Sequence, residues 1–295
     1  MPFVGEISAL TAAILWAGIS IVFTAVAFKI GTVQLNIDRM TLASIFLFIT
    51  ILIFGIDYSV NINQLIFLTI SGVIGLVMGD TFLFMSFKEV GPRLTMLIYS
   101  INPAIAAILA YFFLGESMEF LGIIGVLVAL TGILLVVLEK PATNSKFRIT
   151  RKGLIYGLIG ALGQAVGLIF AKTAYSYGDI HSLTATFVRI TSAAIVMLPI
   201  GIMLGRYKNP FKLYFNDRKT FKLVTIGSIM GPYLGISLSF VALTNTKIGI
   251  AATLLSTVPV IVLPLSWYYY KEKLSFISIA GALVTVAGIA MLFLK

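Results

Sequence analysis

Apolar stretches of about 20 residues, the length that crosses a bilayer as a helix, follow one another along the whole chain. Short clusters of charged and turn-forming residues separate them, and this pattern constrains the fold more than any other feature. Of the 295 residues 59% are hydrophobic and only 11% charged, with a mean hydropathy of +1.07. An ordinary soluble domain is about a quarter charged. Too few polar side chains remain to cover a water-facing surface, which excludes a soluble enzyme, and the same composition excludes disorder. The absence of cysteine excludes a disulfide scaffold and any thiol chemistry. The chain reads as an all-α, polytopic membrane protein.

Ten helices are expected, near 4–28, 33–56, 63–87, 92–114, 119–138, 153–176, 181–204, 220–243, 248–270 and 275–294. The first run begins almost at Met1, with Glu6 and no basic flank, and reads as a span rather than a cleaved signal. Two interruptions are longer than the rest, 139–152 and 205–219. The first carries a proline and a run of small polar residues, as a linker does.

An internal repeat supports that division. From the third helix onward, residue n resembles residue n + 156: Gly75 matches Gly231, Gly79 matches Gly235, Pro103 matches Pro259, Glu116 matches Glu272, and Gly125 matches Gly281. The first two helices match at a slightly smaller offset, pairing Gly5 with Gly153 and Arg39 with Arg189. The expected units are therefore 1–138 and 153–295, five helices each, joined by the linker 139–152. Five is odd, so the two units insert upside down relative to one another, around a central cavity. Inverted repeats with a site near the midplane are the architecture of secondary transporters.

The net charge of +10 would suggest nucleic acid in a soluble protein. Here the basic residues fall in loops, where they set orientation and touch anionic lipid, so no nucleic-acid partner is expected. Loops after odd-numbered helices hold Lys29, Lys88, Arg93, Arg148, Arg151, Lys152, Arg206, Lys208 and Lys212, against essentially Lys247 and Lys295 on the other side. The positive-inside rule places the linker in the cytoplasm and both termini outside, in a plasma membrane.

Gly75-x-x-x-Gly79, Gly231-x-x-x-Gly235 and Gly163-x-x-x-Gly167 allow close backbone packing in lipid. Pro103 and Pro259 are expected inside the fourth and ninth helices, where each would remove a backbone hydrogen bond and bend the helix toward a gate or cavity. Glu116 and Glu272 sit just before a span and read as helix caps. Arg39 and Arg189 read as structural or gating groups that pair with carboxylates or reach the headgroups; Lys172 reads as a snorkelling side chain. Asp80 lies about two turns, roughly 10 Å, inside the third helix, too deep to snorkel. It either pairs with a buried cation such as Arg39 or faces a wet cavity and carries a proton. Its repeat counterpart is Ile236. The remaining cavity candidates are Trp16, Ser20, Thr95, Tyr99, Asn102, Gln164, Tyr233, Ser237 and Ser256, alongside Asp80.

Catalytic patterns are missing. His181 is the single histidine and starts a helix, and there is no HExxH or phosphate-binding loop. The string VMGD at 77–80 lacks the first glycine of an intramembrane aspartyl protease GxGD motif, with Val77 in its place. No enzyme activity, cofactor or metal is expected, and transport must run on gradients.

The paired arginines, the prolines Pro103 and Pro259 followed by Glu116 and Glu272, the glycine-spaced fifth helices and the segment SINPAIAAILAYFFLGE together resemble the drug/metabolite transporter superfamily, in particular its EamA-type ten-helix members. The resemblance covers essentially the whole chain. It implies a basket of helices whose cavity is lined by helices 1, 3, 4, 6, 8 and 9, and export or exchange of small metabolites such as amino acids. A secondary transporter of a small organic metabolite, with protons as a coupling ion, is the leading expectation. The alternative is a channel-like facilitator or uniporter for small neutral solutes; a scaffold or lipid-handling enzyme ranks last.

Overall fold

A computed structural model describes residues 3–114, 120–139, 147–246, 248–272 and 274–292. Glu116, Lys247 and Lys295 lie outside the described residues. The helices are α1 (Val4–Ile30), α2 (Thr32–Ile53), α3 (Ile62–Gly72), α4 (Asp80–Tyr99), α5 (Asn102–Leu114), α6 (Phe120–Val137), α7 (Arg151–Tyr175), α8 (Ser182–Met203), α9 (Pro210–Asn216), α10 (Arg218–Ser228), α11 (Ile236–Asn245), α12 (Ile248–Leu255), α13 (Val258–Tyr270) and α14 (Phe276–Met291). Two π-helical segments, Val73–Gly79 and Ile229–Gly235, join α3 to α4 and α10 to α11. Among the described residues eight helical stretches are long and apolar enough to cross a membrane, with shorter apolar helices at Asn102–Phe113 and Phe276–Met291.

The longest stretch, Ile62–Tyr99, holds one pass and the start of the next, which α5 completes, because Gly91 turns the chain inside it at φ 79°, ψ 168°. Only glycine enters that backbone region without strain. The Phe147 ring covers Gly91 so closely that a Cβ there would lie 2.6 Å from it. With that turn counted, the described helices make the ten expected passes. Segment 205–219, expected as a loop, contains α9. Asn209 accepts the amides of Phe211 and Lys212, and Pro210 has its φ set for a first helical turn.

Helix pairing shows the inversion directly. In α6 against α14, Gly125 faces the Gly288 carbonyl and Gly132 faces the Gly281 carbonyl, so these two equivalent helices run antiparallel. In α2 against α8, Ile37 meets Gly201 while Phe48 stacks on Phe187, again antiparallel. An element and its repeat mate pack antiparallel across a two-fold axis only if the units are oppositely oriented.

Packing is by small residues inside and large ones outside. The buried face of α7 is Gly153, Gly157, Gly160, Ala161, Gly163, Ala165 and Gly167, while Ile155, Leu158 and Leu162 are exposed. Lipid supplies no hydrophobic drive between helices, so close backbone approach does the work. Gly163 meets Gly79, and Gly167 meets Gly75: two of the three glycine pairs pack on each other. The third pair meets α1 side chains, Gly231 against Ile19 and Gly235 against Trp16.

Loops that carry basic residues gather at one end of the bundle. Lys29 pairs with Asp217 at 2.5 Å, Lys152 with Glu89 at 3.5 Å, and Arg93 with Glu272 at 3.1 Å. Phe147 fits between Gly91, Phe28 and Tyr270 at this end. At the opposite end Thr184 donates to the Asp57 carbonyl, and Gln64 to that of Gly178.

Candidate functional site

The two π segments lie 156 residues apart, and each has glycine at its third and last positions. A π turn holds an extra residue, and it frees carbonyls from the usual ladder. In the first segment the Leu76 carbonyl accepts the Asn36 side-chain amide at 2.8 Å. In the second, Pro232 occupies the wide turn, where its missing N–H does least harm. The residue after each segment is turned by about 100°, one helical step, relative to an unbroken helix. Those residues are Asp80 and Ile236.

Asp80 is turned into the interface between the two repeats. One carboxylate oxygen pairs with the Arg39 guanidinium, and the other accepts from the Gln164 amide at 3.1 Å. Arg39 also donates to the Asn36 carbonyl oxygen from Nε at 2.9 Å and from Nη2 at 2.8 Å, and lies over the Phe84 ring. On the far side, Arg189 donates to the Gln164 carbonyl oxygen at 2.8 Å. The result is one continuous chain, Asn36–Arg39–Asp80–Gln164–Arg189. Its first three members come from α2 and α4, and its last two from α7 and α8. Side-chain exposures of 8% for Arg39 and 7% for Asp80 make this a buried ion pair. Tyr99 reaches Gln164 from the end of α4 and is near both arginines. Tyr99, Gln164 and Arg189 are each half-buried.

The other sequence candidates divide. Trp16 lies 148 residues before Gln164, the offset that relates Gly5 to Gly153, and abuts Gly235 as Gln164 abuts Gly79. The symmetry mate of the Asp80–Gln164 contact is therefore Ile236 and Trp16, so one side of the site is polar and its mate apolar. Tyr233 hydrogen-bonds Thr50 at 2.8 Å, in the second half of α2, and is not part of the chain. Ser20, Ser237 and Ser256 spend their hydroxyls on backbone carbonyls in their own helices. Thr95 pairs with Ser86 at 2.9 Å and is fully buried beside the Gly91 turn. Asn102 carries a buried carbonyl oxygen without a partner.

Two expectations change. Pro103 and Pro259 do not bend an unbroken helix. Each begins a new one, α5 after a turn at Ser100–Ile101 and α13 after a turn at Ser256–Thr257, where no amide is missed. Glu272 does not cap α14, because Ser275 is the N-cap and accepts the Ser278 amide. Glu272 is instead buried beside Arg93; burial pushes its carboxyl up, and Arg93 holds it back. Arg93 and Glu139 both hydrogen-bond Ser278 there. Lys172 is exposed in the last turn of α7. Asp38 lies apart from the central chain, holding Gln34 and the Tyr214 hydroxyl of α9. Burial, with Asp38 alongside, pushes the nearby Tyr207 phenol up to about 12.

Asn36 is the member of the site that sequence reading misses. It sits one turn before Arg39, a spacing that puts both on one helix face.

Known proteins share this fold. A crystal structure of a protein superposes with a TM-score of 0.67 over 97% of this chain and 95% of that one, at 16% identity, a likeness of fold. The uncharacterized transporter YdfC of Bacillus subtilis (strain 168) is 25% identical over 213 residues, 70% of this chain and 64% of that protein. An uncharacterized transporter of Clostridium kluyveri is 26% identical over 143 residues, 48% of this chain and 45% of that protein. A chloroplastic WAT1-related protein of Arabidopsis thaliana is 24% identical over 213 residues, 70% of this chain and 50% of that protein. The matched regions span under two thirds of these relatives' own lengths. The profile of the EamA-like transporter family matches residues 3–138 and again 151–294. With both five-helix halves matched, the chain belongs to the EamA-like transporter family.

Proposed function

We propose that this transporter is a secondary carrier that moves a small organic metabolite, such as an amino acid, by alternating access between two units, 1–138 and 153–295. The observation that carries the reading is the chain Asn36–Arg39–Asp80–Gln164–Arg189, three members from the first repeat and two from the second. Rocking one unit on the other separates α2 and α4 from α7 and α8 and so remakes these contacts. Broken helices at matched places, the π segments and the turns before Pro103 and Pro259, support such motion.

Asp80 is the coupling group in this reading. Protonating it, or bringing in a solute that takes over Arg39, opens the pair. Tyr99, Gln164, Trp16 and Asn102 are the nearest solute contacts, while Ser20, Thr95, Tyr233, Ser237 and Ser256 hold helices. Clustering of basic loops at one end supports a plasma-membrane orientation with linker 139–152 in the cytoplasm and both termini outside.

The test is counterflow in proteoliposomes with a labelled amino-acid set. A carrier gives saturable uptake stimulated by unlabelled solute on the far side. Uptake that is linear and unstimulated identifies a channel-like path and rejects the proposal. Unchanged pH dependence and affinity in Asp80→Asn removes Asp80 from coupling.

A further inference from the structure

The charges at the repeat interface do not balance. Two guanidinium groups, Arg39 and Arg189, share one carboxylate, and among the described residues Asp80 is the acid whose charge acts on Arg189. Asp80 directs one oxygen to Arg39 and the other to the Gln164 amide, and Arg189 meets Gln164 rather than the carboxylate. Gln164 is neutral, so its bond to Arg189 satisfies one donor without offsetting the charge.

Arg39 is provided for, with Asn36, Asp80 and the Phe84 face around it. Arg189 is not. Its Nε is buried without a hydrogen-bond partner. Its location is closely determined: a Cβ at Gly75 would lie 2.6 Å from Nη2, and one at Gly72 would lie 2.3 Å from the Arg189 carbonyl. Gly72 lets the α8 backbone approach at Arg189, and Gly75 clears the space that its guanidinium occupies. A lone guanidinium at bilayer depth is costly and persists where a counter-ion completes it during the working cycle.

We infer that Arg189, with the Tyr99 hydroxyl and Gln164 beside it, is an anion subsite that takes a singly charged oxyanion, a carboxylate, of the transported solute. The inference deepens the carrier reading above by naming the charge class of its cargo. One negative charge brings the cluster to neutrality. A cationic solute without a carboxylate would add to the excess, and a neutral one could accept from Nε but would leave the excess charge in place.

The experiment uses the purified full chain in detergent, without assuming the natural cargo. The midpoint of thermal unfolding is followed against sodium acetate, with acetamide and sodium chloride at matched concentration as references. Acetate is expected to raise the midpoint saturably and beyond either reference, as a ligand of the folded state does. Arg189→Lys keeps the charge and is expected to hold the apparent Kd within about threefold; Arg189→Gln is expected to weaken it at least about tenfold, the worth of a charged hydrogen bond. Arg206→Gln, on an exposed loop, is expected to leave the response unchanged. An acetate response no larger than that to acetamide or chloride overturns the inference, and so does a response that Arg189→Gln retains. Failure here with intact counterflow leaves a carrier of another cargo class. Acetate binding without counterflow leaves the anion subsite and removes the carrier.

Discussion

Replacing Asp80 by asparagine isolates the energetic role of the central chain. The substitution preserves shape and an oxygen for the Gln164 amide, now 3.1 Å from Oδ1. It removes the charge that faces Arg39, and with both side chains under a tenth exposed, water does little to replace it. Breaking a buried pair by deleting one partner costs about 3–5 kcal/mol. The expected loss for Asp80→Asn lies in that range, near the upper half, because Arg189 also loses its only described counter-charge. Arg39→Met alone should cost less, since the Gln164 amide still holds Asp80 and the nearby Arg189 charge still acts on it. In the double variant neither charge is stranded at the pair, so the losses should fall short of the sum by about 2 kcal/mol or more. The assay is reversible unfolding in mixed micelles, followed by far-ultraviolet circular dichroism. A loss below about 1 kcal/mol for Asp80→Asn, the range of an exposed pair, refutes the reasoning, as does strict additivity.

Three further outcomes are expected. Gly288→Ala puts a Cβ 2.3 Å from the Ala129 amide nitrogen, so α6 and α14 must separate at a cost of about 1–3 kcal/mol in the same unfolding assay; Gly18→Ala, which meets nothing within 4 Å, should be neutral. Gly91→Ala should lose about 1–3 kcal/mol through its backbone conformation, and trimming Phe147 to alanine in the same chain should recover the contact but not the strain. The Lys29 partner holds the Asp217 carboxyl down from 3.8 to about 2, so its contribution is complete above pH 3.8 and is lost as pH falls toward 2. Unfolding midpoints across that window should drop less in Asp217→Asn than in the wild type.

The legible and illegible parts of this molecule differ in physical kind. Span positions and the inverted repeat follow from hydropathy and from glycines and prolines that recur 156 residues apart, both local to the chain. The depth of Asp80 was equally readable, since it depends on counting residues from a helix end. Its direction was not, because the π segment before it adds a step that no hydrophobic period records. The Arg39–Asp80 pair is one of the two sequence alternatives for Asp80, whereas the Arg189–Gln164 contact is not legible, because only helix pairing brings α7 and α8 side chains together there. Glu272 looked like a cap by position, but Ser275 lies nearer the helix start and takes that place, freeing the acid for Arg93.

The antiparallel seam between α6 and α14 limits how the molecule can deform. Backbone against backbone at its glycines, with Val136 and Thr285 filling in between, it behaves like the bound edge of a book. The two covers can swing, but the binding resists being pulled open, so displacement grows with distance from it. Any substitution that thickens the spine should therefore tilt both covers at once, however far from the page being read.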